Sequence, residues 1–373
     1  MVITARRTSP VLPVLAGAWS IVTAALGGWW WWRPDRVPFG RDPQAVSGPL
    51  DWLPAGSVGP GLVAAGAFGL LLAVLARTGR RPAPTAASGA VFALVFGVVL
   101  PGMQPVMFAG YLVAMLGPVV VFLTVLAGAW RWRGGPAVVA AFVLIAVLAW
   151  TTGFADAAVF RRYGEVLVGA AAKLEQPAYL TFLLACGVLF AVIGARAWLA
   201  ARGGRPAPAW TRPEAAARWG RAATVVAMLC ALPYGLVRMT WLTPWPVGPD
   251  AATLAATPEI RLHGLLLGLA ALGGAVLTAG LVARWGEVWP RWIPVLRGRP
   301  VPVAAAVVPG ALVATLFACA SLPFGAQVVA TDEAWMLLLF PFPLWALSLG
   351  GAVLAYALRR RRPQAPSTTW DNG

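Results

Sequence analysis

Ten long blocks of apolar residues, at positions 12–29, 59–76, 87–103, 106–129, 136–152, 178–198, 220–240, 261–283, 302–323 and 335–358, alternate with short polar segments rich in arginine, proline and glycine. A helix rises about 1.5 Å per residue, so roughly 20 apolar residues cross the ~30 Å of hydrocarbon in a bilayer. The pattern therefore predicts an all-α polytopic transmembrane helix bundle of about ten spans. The third and fourth blocks are parted only by Pro101, Gly102, Gln104 and Pro105, which suit a tight turn. A re-entrant turn is the other reading of that break.

Between the fifth and sixth blocks the pattern changes. From Ala155 to Gln176 apolar residues recur at helical spacing, with Val159, Tyr163, Val166, Ala170 and Leu174 on one face and Arg161 and Glu165 four apart on another. This predicts an amphipathic helix, either lying on the outer surface of the membrane or packed as a lid over the bundle. The chain divides accordingly into an N-terminal transmembrane half, 1–152, an outer segment, 153–177, a C-terminal half, 178–358, and a basic and polar tail, 359–373.

Composition excludes a soluble fold. Hydrophobic residues make up 60% of the chain and charged ones 11%, against about 25% charged in a soluble domain, and the mean hydropathy is +0.75. The net charge of +16 does not point to nucleic acid, because the arginines fall in short clusters between apolar runs. With the N-terminus in the cytoplasm, the inside segments hold 21 of the 29 basic residues, while 10 of the 13 acids lie outside. The arginine bias sets the orientation, with both termini cytoplasmic in a cytoplasmic membrane. The expected partners are the bilayer itself and anionic headgroups at the cytoplasmic arginine clusters; no protein partner is indicated. A cleaved leader with Arg6 and Arg7 as its basic end is the alternative for the first block, although that block ends in four tryptophans, Trp29 to Trp32, that suit an interfacial belt.

Two short passages hint at internal symmetry. Pro38-Phe39-Gly40-Arg41-Asp42 follows the first block and Pro246-Val247-Gly248-Pro249-Asp250 the seventh, each after tryptophans. Spans 1–4 would then match spans 7–10 as a parallel repeat, though turn chemistry favours the same residues.

Chemistry-bearing residues are few. Cys186, Cys230 and Cys319 fall in apolar runs and read as small core residues, and His263 is the single histidine. No metal site, cofactor or catalytic set is expected. No Asp or Glu falls in the middle third of any predicted span, where ion-coupled carriers usually keep one. The densest candidate is an outer-face cluster, Arg238 at the end of the seventh span with Glu259, Arg261 and His263 at the start of the eighth. Two arginines and a histidine suit an anion such as a phosphate or carboxylate, and Glu259 and His263, four apart, are placed to share a proton. Snorkelling of these arginines to headgroups is the competing reading. In the first outer loop Asp35 and Asp42 alternate with Arg33, Arg36 and Arg41; they are candidate acids for a lipid-phosphate enzyme or simple ion-pair partners. The segment Arg284-Trp285-Gly286-Glu287-Val288-Trp289-Pro290-Arg291-Trp292-Ile293-Pro294 would lay an amphipathic face at the headgroups, and Arg359 to Arg362 form a stop-transfer cluster.

Leu26-Gly27-Gly28 with Val37-Pro38-Phe39-Gly40, Arg238-x-x-Trp241, and Arg284-Trp285-Gly286-Glu287-Val288-Trp289-Pro290-Arg291-Trp292 resemble passages in uncharacterised multi-pass actinobacterial integral membrane proteins. The single lysine, Lys173, fits the arginine bias of such a GC-rich source. The resemblance implies a fold of about ten helices and supplies no activity. Three functional readings follow: a transporter-like or solute- or lipid-binding bundle, with a cavity between spans one, two, seven and eight; a membrane enzyme acting on a lipid phosphate from the outer face; and a scaffold for other membrane proteins.

Overall fold

A computed structural model describes residues 11–39, 48–129, 135–151, 156–171, 175–203, 205–290 and 296–360. In chain order the helices are α1 (Val11–Trp32), α2 (Ala55–Thr78), α3 (Pro82–Leu94), α4 (Gln104–Ala129), α5 (Gly135–Thr151), α6 (Ala157–Ala171), α7 (Glu175–Ala201), α8 (Pro213–Met239), α9 (Ala251–Ala256), α10 (Pro258–Ala279), α11 (Val303–Thr331), α12 (Met336–Leu339) and α13 (Phe342–Arg359). Each of the ten apolar blocks becomes a helix. Nine helical stretches among the described residues are long and apolar enough to cross a membrane, and α5, at 17 residues, is the shorter tenth. No strand forms among the described residues; a lone bridge joins Val288 and Pro300. The molecule is an all-α polytopic bundle.

The spanning helices pack as two groups. In the first, α1 pairs with α2 and α3 with α7. Its core centres on Trp19, Phe92, Phe96 and Phe190, whose rings meet edge-on or tilted at centroid distances of 4.8–6.1 Å. In the second, α8 pairs with α10 and α13, and α13 with α11, around Trp345, Leu349 and Tyr356. Lipid tails are as apolar as leucine, so spanning helices are held by close packing, which small residues allow. Between α3 and α7 this is carried by facing glycines: a methyl on Gly187 would strike the backbone of Gly97, and one on Gly89 the backbone of Gly194. Span eight shows that position decides which glycine matters. Gly268 is covered by Arg238 and Met239, while Gly273 and Gly274 have nothing within 4 Å.

The break after the third block is a turn, and it redirects the chain from one group to the other. Val95–Val99 forms a π-turn, Gly102 adopts φ +64°, and α4 starts at Gln104. The helix before the turn stays with α7, while α4 packs on α10, α5, α11 and α7. The π-turn also leaves a carbonyl for the neighbouring group: the Cys319 thiol of α11 donates to Gly97 O at 3.2 Å. All three cysteines are buried and unbridged, as small core residues should be. Buried hydroxyls are satisfied within their own helices, Ser20 donating to Ala16 O, Thr23 to Trp19 O and Thr224 to Gly220 O at 2.7–2.9 Å, as a medium without water requires.

Helix pairing does not follow the suggested repeat throughout. The α1–α2 pair has its counterpart in α8–α10, but α3 pairs with α7 whereas its counterpart α11 pairs with α13. Within the two matched passages, Asp250 caps α9 by accepting from Thr253 N at 2.7 Å and Thr253 Oγ1 at 2.9 Å. These bonds from the Thr253 amide, then its hydroxyl, hold the carboxyl below its ordinary range. Asp42 lies outside the described residues.

At one end of the first group, the end of α1 meets the start of α7, and the segment before α2 meets the turn before α4. Trp30 meets Tyr179 at 4.9 Å, and Gly48 packs on Gly102. At the other end, in the region from Leu281 to Val301, Arg284–Gly286 is a 3-10 turn and Val288 bridges Pro300, while positions 291–295 of the expected amphipathic segment lie outside the described residues. Arg359 and Arg360 do more than stop transfer. Arg359 donates to Leu281 O and pairs with Glu287 at 3.5 Å, Arg360 donates to Glu287 O and Val301 O, and the Tyr356 hydroxyl donates to Gly286 O at 2.7 Å.

Candidate anion site at the end of α8 and α10

Two close approaches create this site. The ring of Trp241 lies over Gly264 and the stem of Arg238 over Gly268, so any larger residue at either glycine would separate α8 from α10. The four-residue spacing of these glycines puts both on the face of α10 that meets α8.

Arg238 is half-buried in the last turn of α8. Its guanidinium carbon stands 4.0 Å from the centroid of the Trp241 ring and 5.0 Å from that of Tyr234. A cation within about 6 Å of an aromatic face is attracted by the ring's quadrupole. Tyr234 and Trp241 lie four residues before and three after Arg238, the two offsets that share a helix face. Among the described residues no carboxylate forms an ion pair with Arg238. Two aromatic faces thus hold the guanidinium.

Arg261 sits next to it, with Nε donating to the carbonyl of Trp241 at 2.8 Å, and so ties the start of α10 to the end of α8. Glu259 and His263, expected to interact with each other, instead take partners from α6. Glu259 faces Arg162 at 3.8 Å, and its Oε2 is buried with no hydrogen bond. His263 Nδ1 lies 2.8 Å from the Tyr163 hydroxyl, and the imidazole stacks on Tyr111 of α4 at 4.5 Å. A neutral imidazole that accepts at Nδ1 carries its proton on Nε2. Burial, and then the neighbouring Tyr111, pushes the Tyr163 phenol above its ordinary range.

Helix α6 is the lid of the two expected arrangements. Val159 and Tyr163 of the predicted apolar face are buried, Val159 packing with Leu262, while Arg161 and Glu165 are exposed. The side chains of Val166 and Ala170, and all of Leu174, lie outside the described residues. The cavity expected between spans one, two, seven and eight is not where Arg238 and His263 face. Their neighbours are α4, α6 and the α8–α10 seam, while α1 and α2 pack in the other group.

In the loop after α1, Asp35 lies 3.3 Å from Arg33 and 3.6 Å from Arg36. This is the pairing that alternating charges predict, and it occupies the carboxylate that a lipid-phosphate enzyme would need. Among the described residues, no group of three His, Cys, Asp or Glu is placed to hold a metal ion.

Arg162, Tyr111 and Tyr234 were absent from the sequence-derived cluster. Tyr234 was readable from its spacing to Arg238; the tertiary partners Arg162 and Tyr111 were not. No family model, curated protein or solved structure matches the chain.

Proposed function

We propose that this chain is a multi-pass protein of the cytoplasmic membrane, N- and C-termini inside, acting as a transporter-like or solute- or lipid-binding bundle that takes up an anion at the outer end of α8 and α10. The observation that carries the reading is Arg238, a half-buried cation oriented by two aromatic faces and without an ion-pair partner among the described residues. Retaining a charge near hydrocarbon is costly, and such residues usually serve a ligand or a water-filled site. Arg261 contributes a second positive charge beside it. His263, on the same helix as Arg261, is held by Tyr163 and Tyr111.

The positive arginine loops at the opposite end support the orientation. The pairing of Asp35 weighs against the enzyme reading, and nothing specific favours a scaffold. Native mass spectrometry of the gently solubilised protein, compared with an Arg238→Ala, Arg261→Ala double variant, tests the proposal. A discrete bound anion present in wild type and lost in the variant is the expected result. Absence of any adduct, or one indifferent to the substitutions, returns the arginines to a structural role.

A further inference from the structure

Resting on that anion reading, we infer that the occupant of the Arg238 site is the phosphate of a membrane lipid and not a free phosphate from solution. Directly after α8 the chain presents Leu242, Trp245 and Val247, which are 59%, 81% and 52% exposed. Such a run of bare apolar surface is costly in water and favourable in the headgroup layer, where tryptophan concentrates.

The segment is also braced in that pose. Val247 N donates to Thr240 Oγ1 at 2.9 Å, Trp245 N to Thr243 Oγ1 at 3.2 Å, and the Trp241 indole to Val247 O at 3.0 Å. Its exposed side chains are held out by hydrogen bonds, so the apolar rim is a fixed feature.

Depth follows from helical geometry. The spanning stretch continues from Pro213 to Leu242, so Leu242 stands four residues beyond Arg238, about 6 Å farther along the axis. With Leu242 and Trp245 seated at the interface, the Arg238 guanidinium lies just beneath it, at the level where lipid phosphates meet glycerol. A lipid phosphate arrives there laterally, with its own apolar tails against the rim. Inorganic phosphate would have to shed its hydration while passing the same rim and would gain nothing from it. Shared chemistry, a tetrahedral phosphate on a guanidinium, therefore has one favoured source.

The test uses the full-length protein in detergent, with phosphatidylglycerol and inorganic phosphate as separate probes in native mass spectrometry. Wild type is expected to keep phosphatidylglycerol, and Arg238→Ala to lose it by about tenfold or more; Arg238→Gln, which keeps a polar head, shows the same loss if Arg238→Ala does not fold. Millimolar inorganic phosphate should leave the lipid in place. Separately, a spin label on a Trp245→Cys variant, with the three native cysteines buried, should collide more with lipid-soluble oxygen than with a water-soluble nickel chelate. Displacement of the lipid by inorganic phosphate, or a label at 245 that sits in water, overturns the lipid inference and leaves the anion reading standing. If neither probe is retained, or the Arg238 variants retain as much as wild type, both fall.

Discussion

A single residue type, glycine, sets how near α8 and α10 can come at the site. Gly264 gives Trp241 the space in which its ring lies flat beside α10, and that ring is one of the two faces holding Arg238. Gly264→Ala is expected to push the ring away, with a stability loss of about 1–3 kcal/mol from overpacking and a weakened anion adduct. Thermal unfolding in detergent, read alongside native mass spectrometry, checks both; an unchanged adduct would separate Trp241 from the binding geometry. At this scale the sequence is readable wherever the partner is near in the chain. Tyr234, Arg238 and Trp241 lie within eight positions and meet by helical offset. Tyr163 and His263 are a hundred positions apart, and their hydrogen bond depends on where α6 folds back. No local pattern encodes that return, so pairing Glu259 with its neighbour four residues on was the natural reading and the wrong one.

Among the elements, the abundance of small residues was plain in the sequence but their pairing was not. Apolar length fixes a span, because hydrocarbon thickness sets it; which face meets which neighbour is decided by shape across the bundle. Gly187 and Gly273 illustrate the difference, since both are mid-span glycines. Gly187→Ala is expected to lower stability by about 1–3 kcal/mol by forcing α7 from α3. Gly273→Ala, in open space, is expected to be neutral or to stabilise its helix by up to roughly 1 kcal/mol. Unfolding midpoints of the two variants check the contrast, and equal effects would contradict the glycine-to-glycine seam. The same distinction explains the 281–301 region. Its tryptophan and arginine spacing is legible in the sequence, whereas the capture of its carbonyls by Arg359 and Arg360 is not.

For the whole molecule, charge and hydropathy were enough to predict the class. They did not reveal that the bundle divides as α1–α3 with α7 against α8–α13. The orientation is open to a direct test. Cysteines placed singly at Thr243 and at Thr211 should behave oppositely toward a membrane-impermeant maleimide on intact cells, the first labelling at once and the second only after permeabilisation. The reverse pattern would invert the proposed topology. The native cysteines, being buried, add little background.

The partition of the helices bears on how the protein is made. Helix α3 leaves the ribosome long before α7, yet α7 supplies the surface against which Gly89 and Gly97 close. Three helices, α4, α5 and α6, are synthesised in the interval. During that time the first group has a vacant side in the membrane, and α4 has nothing of the second group to rest on. Biogenesis therefore cannot finish one half and then begin the other: the first group is completed only by its latest member, and in a nascent chain arrested after α6 its helices α1, α2 and α3 would still await α7.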